Sequence, residues 1–348
     1  MCYYDLVRLY GKPYDMDKSS YGVPLVLEVL DASAEPTRAS VEQIYSQVVS
    51  DLNAAIPLFN KTQKSNGMVN YYANVAMQAR VHLQMQNYSA ALTAAEEVIS
   101  NGGFTLYTND NWLSSWSKQF QSESIFELYV ATGQGALGNG SLGSMMTHTS
   151  SGTTNWNYFM ASDSFLELLG EDSGDIRWGL MAKDEKSETG EYPEVRRGCC
   201  YKYVGGINSP GDGKTPATSV NIKVIRLSEI YLVAAEAAFA NNNKEKAATY
   251  LQAIRKRAPN LDPATAANIT LKMIQDEYSK ELLLEGHRFF DMMRWNKTIN
   301  FTSDYWSQSE VTNRPASIDR TYYKVILPLS TAEILANPAI EAQQNPGY

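Results

Sequence analysis

The 348-residue chain is short of several things at once, and each shortage removes a class of function. No apolar run approaches the roughly 20 residues that a membrane-spanning helix needs. No stretch at the start of the chain has the charged, apolar and small-residue order of a signal peptide. Basic residues are outnumbered, 30 Lys and Arg against 38 Asp and Glu, for a net charge of -8. A nucleic-acid partner needs a basic surface to replace counterions, so DNA and RNA are excluded as ligands. Cysteine is scarce: Cys2, Cys199 and Cys200 make neither a disulfide framework nor a metal spacing. Histidine is scarcer still, with three in the chain. Glu285 and His287 stand two apart, on different sides of a helix, with no second histidine at helical spacing, so no metal site and no cofactor is expected.

Aromatic residues, by contrast, are plentiful: 22 Tyr, 6 Trp and 10 Phe. They fill cores, but in loops Tyr and Trp present flat amphipathic surfaces to a ligand. Length allows one large core or two ordinary ones, and 44% hydrophobic with 20% charged residues is globular composition.

The most strongly patterned stretch runs from Leu271 to Trp295. Ile274, Tyr278, Leu282, Phe289 and Met293 follow a 3.6 period, which predicts one long amphipathic helix. Glu277, Glu281, Glu285 and Arg288 lie three or four apart and read as a charged seam along one face. Gly286 interrupts the run, at roughly 1 kcal/mol against alanine, and marks a close approach or a bend. An acid/base site is the other reading of carboxylates beside a histidine.

Earlier in the chain, Ser40 and Gln43 form a capping box ahead of a stripe at Val41, Ile44, Tyr45, Val48 and Leu52. Two later segments, 74–100 and 230–258, each predict a pair of antiparallel helices. Ala79 aligns with Ala235, Asn87 with Asn243 and Ala91 with Ala247, small residues where paired helices approach closely. The turns and lengths are those of degenerate tetratricopeptide units, which bury their faces only when stacked. The expectation is a mostly α fold: a tetratricopeptide-like scaffold, a long loop-rich insertion and a few short strands. As one domain, it divides into scaffold at 1–107 and 221–297, insertion at 108–220 and a closing segment at 298–348. At the start, MCYYDLVRLYG reads as the last turns of a helix that begins upstream, with Leu6, Leu9 and Tyr10 on its apolar face. Val26–Val29 reads as a short extended run. Asp15 and Asp17 lack the further oxygens of a calcium loop.

The insertion carries the surplus aromatics. Ser124–Val130 predicts a strand, the glycine-rich run after it has no Walker lysine, and Ala161–Leu169 predicts a short helix. Asn155-Trp156-Asn157-Tyr158 alternates amides with aromatics after a glycine- and serine-rich stretch. Trp156 and Tyr158 are therefore candidate stacking platforms, with Asn155 as polar anchor. Trp112, Trp116 and Trp178 are further candidates whose apolar neighbours also suit a core. Toward the C-terminus, Tyr323–Leu327 predicts a strand, and Ser330 with Glu333 a capping box.

ELLLEGHRFFDMMRW resembles the signature helix of the SusD/RagB family, through Glu281, Leu282, Glu285, Gly286, Arg288, Asp291, Arg294 and Trp295. Asp175-Ile176-Arg177 resembles that family's D-x-R element, and LPLSTAEILANPAIEAQQNPGY its closing segment. The resemblance implies a surface-exposed outer-membrane lipoprotein that binds oligosaccharide and delivers it to a SusC-like TonB-dependent transporter without catalysis. It also implies an N-terminal region, with signal peptide, lipidated cysteine and first helices, that precedes what is present; Cys2 itself is no lipid-attachment cysteine. Two other functions stay open: a tetratricopeptide scaffold for protein partners alone, and a glycoside hydrolase, which needs two carboxylates at defined separation.

Overall fold

The computed structural model describes residues 1–62, 67–134, 140–147, 159–181, 185–186, 195–196, 198–207, 209, 211–301 and 315–348. Two helical hairpins lie at its centre, Tyr71–Gln84 with Tyr88–Asn101 and Leu227–Ala240 with Lys244–Arg255. The inner helices of the two hairpins pack on each other, and Leu271–Glu281 packs on the second. Ala79, Ala91, Ala235 and Ala247 are all fully buried in this one core. Their methyl groups let helix backbones come close, which larger side chains would prevent.

The two turns repeat each other bond for bond. Gln86 and Asn242 adopt φ of 56° and 60°, the left-handed conformation that ends a helix. Asn87 N–H then donates to His82 O at 2.8 Å, and Asn243 N–H donates to Ala238 O at 2.8 Å. Each closes the six-residue loop of a Schellman motif. The alignment of the two hairpins in sequence is therefore a repetition of geometry. Ala235→Leu should cost about 1–3 kcal/mol, the range for overpacking a filled interior, read as a lower urea midpoint at unchanged slope. An unchanged midpoint would mean that the hairpins do not close on this residue.

The Val41–Ala55 helix starts at the expected capping box, with Ser40 and Gln43 exchanging both bonds. It packs on the Cys2–Tyr10 helix in a second, smaller cluster with Tyr4, Val7, Ile44, Tyr45 and Val48. Here the expected face is corrected: Tyr4 and Val7 are buried, whereas Leu6 and Leu9 are exposed. The extended run also shifts. Strand Tyr21–Pro24 pairs antiparallel with Arg38–Ser40, and Val26–Val29 follows outside it. Asp15 pairs with Arg320 at 2.6 Å and Asp17 with Lys12 at 3.2 Å. Arg38 ties the closing segment to the first turns of the chain, donating to the carbonyls of Tyr10, Gly22 and Gln343.

The ends of the 108–220 region are held side by side. Strand Ser124–Leu128 pairs antiparallel with Ile222–Arg226, Ser124 opposite Arg226 and Leu128 opposite Ile222. Strand Ile222–Arg226 runs straight into the second hairpin, so the region stands directly on the scaffold.

The predicted 25-residue helix is two helices. Leu271–Glu281 ends at Leu282, the chain turns through Leu284 at φ 60° and Gly286 at φ 81°, and Arg288–Arg294 follows. A Cβ at Gly286 would meet nothing within 4 Å, so the glycine serves the bend and not a close approach. Tyr323–Leu327 is likewise corrected: Tyr323–Val325 is a short 3-10 turn. Ser330 Oγ accepts from Glu333 N–H at 3.1 Å and starts the Thr331–Ala336 helix.

Candidate functional site

The charged seam on Leu271–Glu281 faces inward. Glu123, Glu277 and Glu281 are fully buried, and Arg177, Arg226, Arg257 and Lys202 are nearly so. Burying such charges is costly unless each finds a partner. Arg226 grips Glu285 with Nε and Nη2, both at 2.8 Å, and reaches Glu281 with Nη1 at 3.1 Å. Arg257 bridges Glu123 at 2.9 Å and Glu281 at 3.0 Å. Arg177 is locked to Asp175 at 2.6 Å and reaches Glu277 at 2.9 Å. Lys202 completes the array on Glu285 at 2.7 Å. Burial alone would raise the Glu285 carboxyl's pKa, but Arg226 and Lys202 outweigh it and hold the value near 2. Glu277 and Glu281 are shifted the same way: burial opposes, and Arg177 and Arg257 respectively lead the cations that win.

A second cluster contains the rest of the signature. Arg294 pairs with Glu236 and, at 2.8 Å, with Asp291. Trp295 Nε1 donates to Glu236 at 2.7 Å, and its ring meets Tyr278 edge-on at 5.5 Å. Trp295 is half-buried. Arg80 holds Glu229 at 2.6 Å with His287 Nε2 at 3.9 Å, so His287 and Glu285 belong to separate clusters. Arg288 departs from the expected seam: its Nη1 donates to the Ser279 hydroxyl at 2.6 Å, and no carboxylate pairs with it among the described residues.

Two of the aromatic candidates sit inside this array. Trp112 is 1% exposed, with its Nε1 donating to Glu281 at 3.4 Å and Arg257 over its ring. Trp116 is 4% exposed and lies under Lys202, Lys223 and Arg226 at 4.9–5.3 Å. Both rings are occupied by buried cations, which corrects their reading as ligand-facing. Trp178 is half-buried against Leu166, Leu169, Met181 and Leu283. Asn155, Trp156 and Tyr158 lie outside the described residues.

A cavity of about 1160 Å³ lies between residues 159–168 and 276–291. The Asp163–Gly170 helix, capped by Ser162 on Phe165 N–H at 3.3 Å, forms one wall. The turn through Leu284 and Gly286 forms the other. Phe159, Phe165, Phe289 and Phe290 supply aromatic surface, and Ser162, Ser164, Ser279 and Arg288 supply polar groups. Phe159 is 52% exposed. Of these, Phe165 and the Phe289-Phe290 pair carry no signal that separates a pocket wall from a core residue, since they fall within helical periodicity.

A model of the SusD family matches residues 197–348, which include the signature turn and the array's Lys202, Arg226, Arg257, Glu277, Glu281 and Glu285, whereas Glu123, Asp175 and Arg177 precede the match. A SusD superfamily protein of Bacteroides thetaiotaomicron, solved as a crystal structure, is 34% identical. It superposes with a TM-score of 0.87 over 99% of this chain and 75% of its own. The chain belongs to the SusD family. A Bacteroides vulgatus structure, provisionally named a sugar binding protein, is 30% identical with a TM-score of 0.84, over all of this chain and 75% of that one. The SusD-like protein P25 of Formosa agariphila is 28% identical across 98% of this chain and 69% of its own length. Of the signature residues, Glu281 and Glu285 hold the region 108–220 to the helices, through Arg177, Trp112 and Lys202. No helix among the described residues is long and apolar enough to cross a membrane.

Proposed function

We propose that this protein captures oligosaccharide at the cell surface and passes it, uncleaved, to a SusC-like TonB-dependent transporter of the outer membrane, to which a lipid anchor holds it. The observation that carries the reading is the cavity walled by Phe159, Phe165, Phe289 and Phe290 beside serine hydroxyls. Aromatic faces stack on the C–H faces of sugar rings, while hydroxyls and amides bond the ring hydroxyls. Membership of the SusD family, and the provisional sugar-binding name of one relative, support it. A glycosidase needs one carboxyl kept protonated as general acid. Glu229, Glu277, Glu281 and Glu285 are instead held ionised by arginines or lysines.

Asn155, Trp156 and Tyr158 precede Phe159 in the chain, and we assign them to ligand binding from the sequence motif, Trp156 and Tyr158 stacking and Asn155 anchoring. Trp156→Ala and Phe159→Ala should each weaken binding by about 1–3 kcal/mol, the scale for a truncated aromatic anchor, with thermal stability unchanged. Titration calorimetry of both variants against a glycan panel tests this. Affinity unchanged in a variant removes that ring from the site. If the parent protein binds no sugar but captures a peptide partner, the protein-scaffold reading replaces this one.

A further inference from the structure

We propose that the cavity takes oligosaccharides bearing an acidic substituent, a carboxylate or a sulfate ester, and that Arg288 reads it. This rests on the reading of the cavity as a sugar site. Asp276, Arg288 and Asp291 are the charged side chains that line it. Both carboxylates are committed elsewhere. Asp276 accepts from Lys272 Nζ at 2.6 Å, and Asp291 accepts from Arg294 Nε at 2.8 Å. Arg288 has no salt bridge among the described residues, Asp291 and Asp276 acting on it only from longer range, whereas Arg177, Arg226, Arg257 and Arg294 nearby each have one or more.

The Arg288 side chain is nevertheless held in place. Ser279 Oγ donates to Gln275 O at 2.9 Å, which turns its lone pairs toward Arg288 Nη1 at 2.6 Å. That contact uses one of five guanidinium N–H donors, and the fork that remains suits a carboxylate or a sulfate. Apolar walls from Phe289, Phe290 and Leu284 flank the guanidinium, while Arg288 itself is exposed and open to a ligand from solvent. The net charge of -8 opposes an anion only at long range, and salt screens it beyond about 8 Å at physiological ionic strength. The local guanidinium therefore decides.

The test pairs each acidic oligosaccharide with its own neutralised form: oligogalacturonide and alginate oligomers against their methyl esters, and sulfated galactan oligomers against the desulfated ones. Calorimetry on the parent protein should show at least one acidic form bound tenfold or more tighter than its neutral partner, with an advantage that shrinks as salt rises. A preference confined to the esterified pairs identifies a carboxylate, and one confined to the galactan pair a sulfate. Arg288→Gln should abolish the preference of the acidic form over its neutral partner, read as the ratio of the two affinities in the same variant; Arg288→Lys should keep part of it. Circular dichroism establishes that the variants fold, and the parent comparison stands without them. Neutral and acidic forms bound alike, or a preference that survives Arg288→Gln, would overturn the assignment to Arg288 while sugar binding stands. No saccharide bound in any form removes the sugar reading and this inference together.

Discussion

Glu281→Ala is expected to lower stability by about 3–5 kcal/mol, the scale seen when one partner of a buried ion pair is removed. Glu281 is fully buried, and its carboxylate faces Arg226 at 3.1 Å, Arg257 at 3.0 Å and Arg177 at 3.6 Å. Without it those guanidiniums stay close together in a dry interior, short of one negative charge. The array joins segments that are far apart in sequence: Arg177 and Lys202 come from the 108–220 region, Arg226 from its exit strand, and Arg257 from just beyond the second hairpin. The Asp163–Gly170 helix of the cavity wall packs on Leu271–Glu281, the helix that ends in Glu281. Sugar binding should therefore weaken in the same variant, through displacement of that wall. Glu281→Gln, which keeps the shape, should recover part of the loss. Urea denaturation at neutral pH reads the effect; a loss below about 1 kcal/mol with an unchanged slope would show that water already reaches the array.

The same array explains which parts of the fold were readable in the sequence. The two hairpins were legible because their signals are local: alanines at matched positions, a turn ending in asparagine, a capping box at Ser40. The break after Glu281 was not, because Leu282 and Phe289 continue the helical period and a lone glycine is tolerable in a helix. What ends the helix is tertiary. Lys202 Nζ donates to the carbonyls of Glu281 and Leu283 at 3.0 and 2.9 Å, and Tyr203 donates to Leu284 O at 3.1 Å. Donors from eighty residues away satisfy carbonyls that would otherwise continue the ladder. Trp112 and Trp116 fail for a related reason, since an aromatic count cannot show that buried arginines and lysines occupy the ring faces. The cavity was half legible: the stretch read as a helix over Ala161–Leu169 forms one wall as Asp163–Gly170, but the opposite wall exists only because of the turn.

Stability should fall steadily as the solution is acidified, and the steepest loss should lie below pH 4.5. Glu285 has its pKa held near 2, against an ordinary 4.5. Burial works against this, and the attraction of Arg226 and Lys202 overcomes it. Because the folded value is the lower one, the unfolded chain takes up the proton first as pH drops. The contribution is therefore complete above about pH 4.5 and lost progressively down to about pH 2; by linkage it amounts to ~3 kcal/mol. Glu229, Glu277 and Glu281 are shifted in the same direction and add to the slope. His287 acts earlier with the same sign. Burial outweighs the pull of Glu229 and lowers its pKa, so below its ordinary 6.5 the unfolded chain again binds the proton first. Urea midpoints at pH 7.5, 5.5, 4.0 and 3.0 should decline in that order, with a shallow limb from His287 and a steep one from the carboxylates. Glu285→Gln should start from a lower midpoint at pH 7.5 and lose less between pH 4.5 and 3.0, since the titrating group is gone. A midpoint that stays level from pH 7.5 to 3.0 would mean that these carboxylates have no more affinity for their cations in the fold than for water, and would also remove the basis for the Glu281→Ala loss.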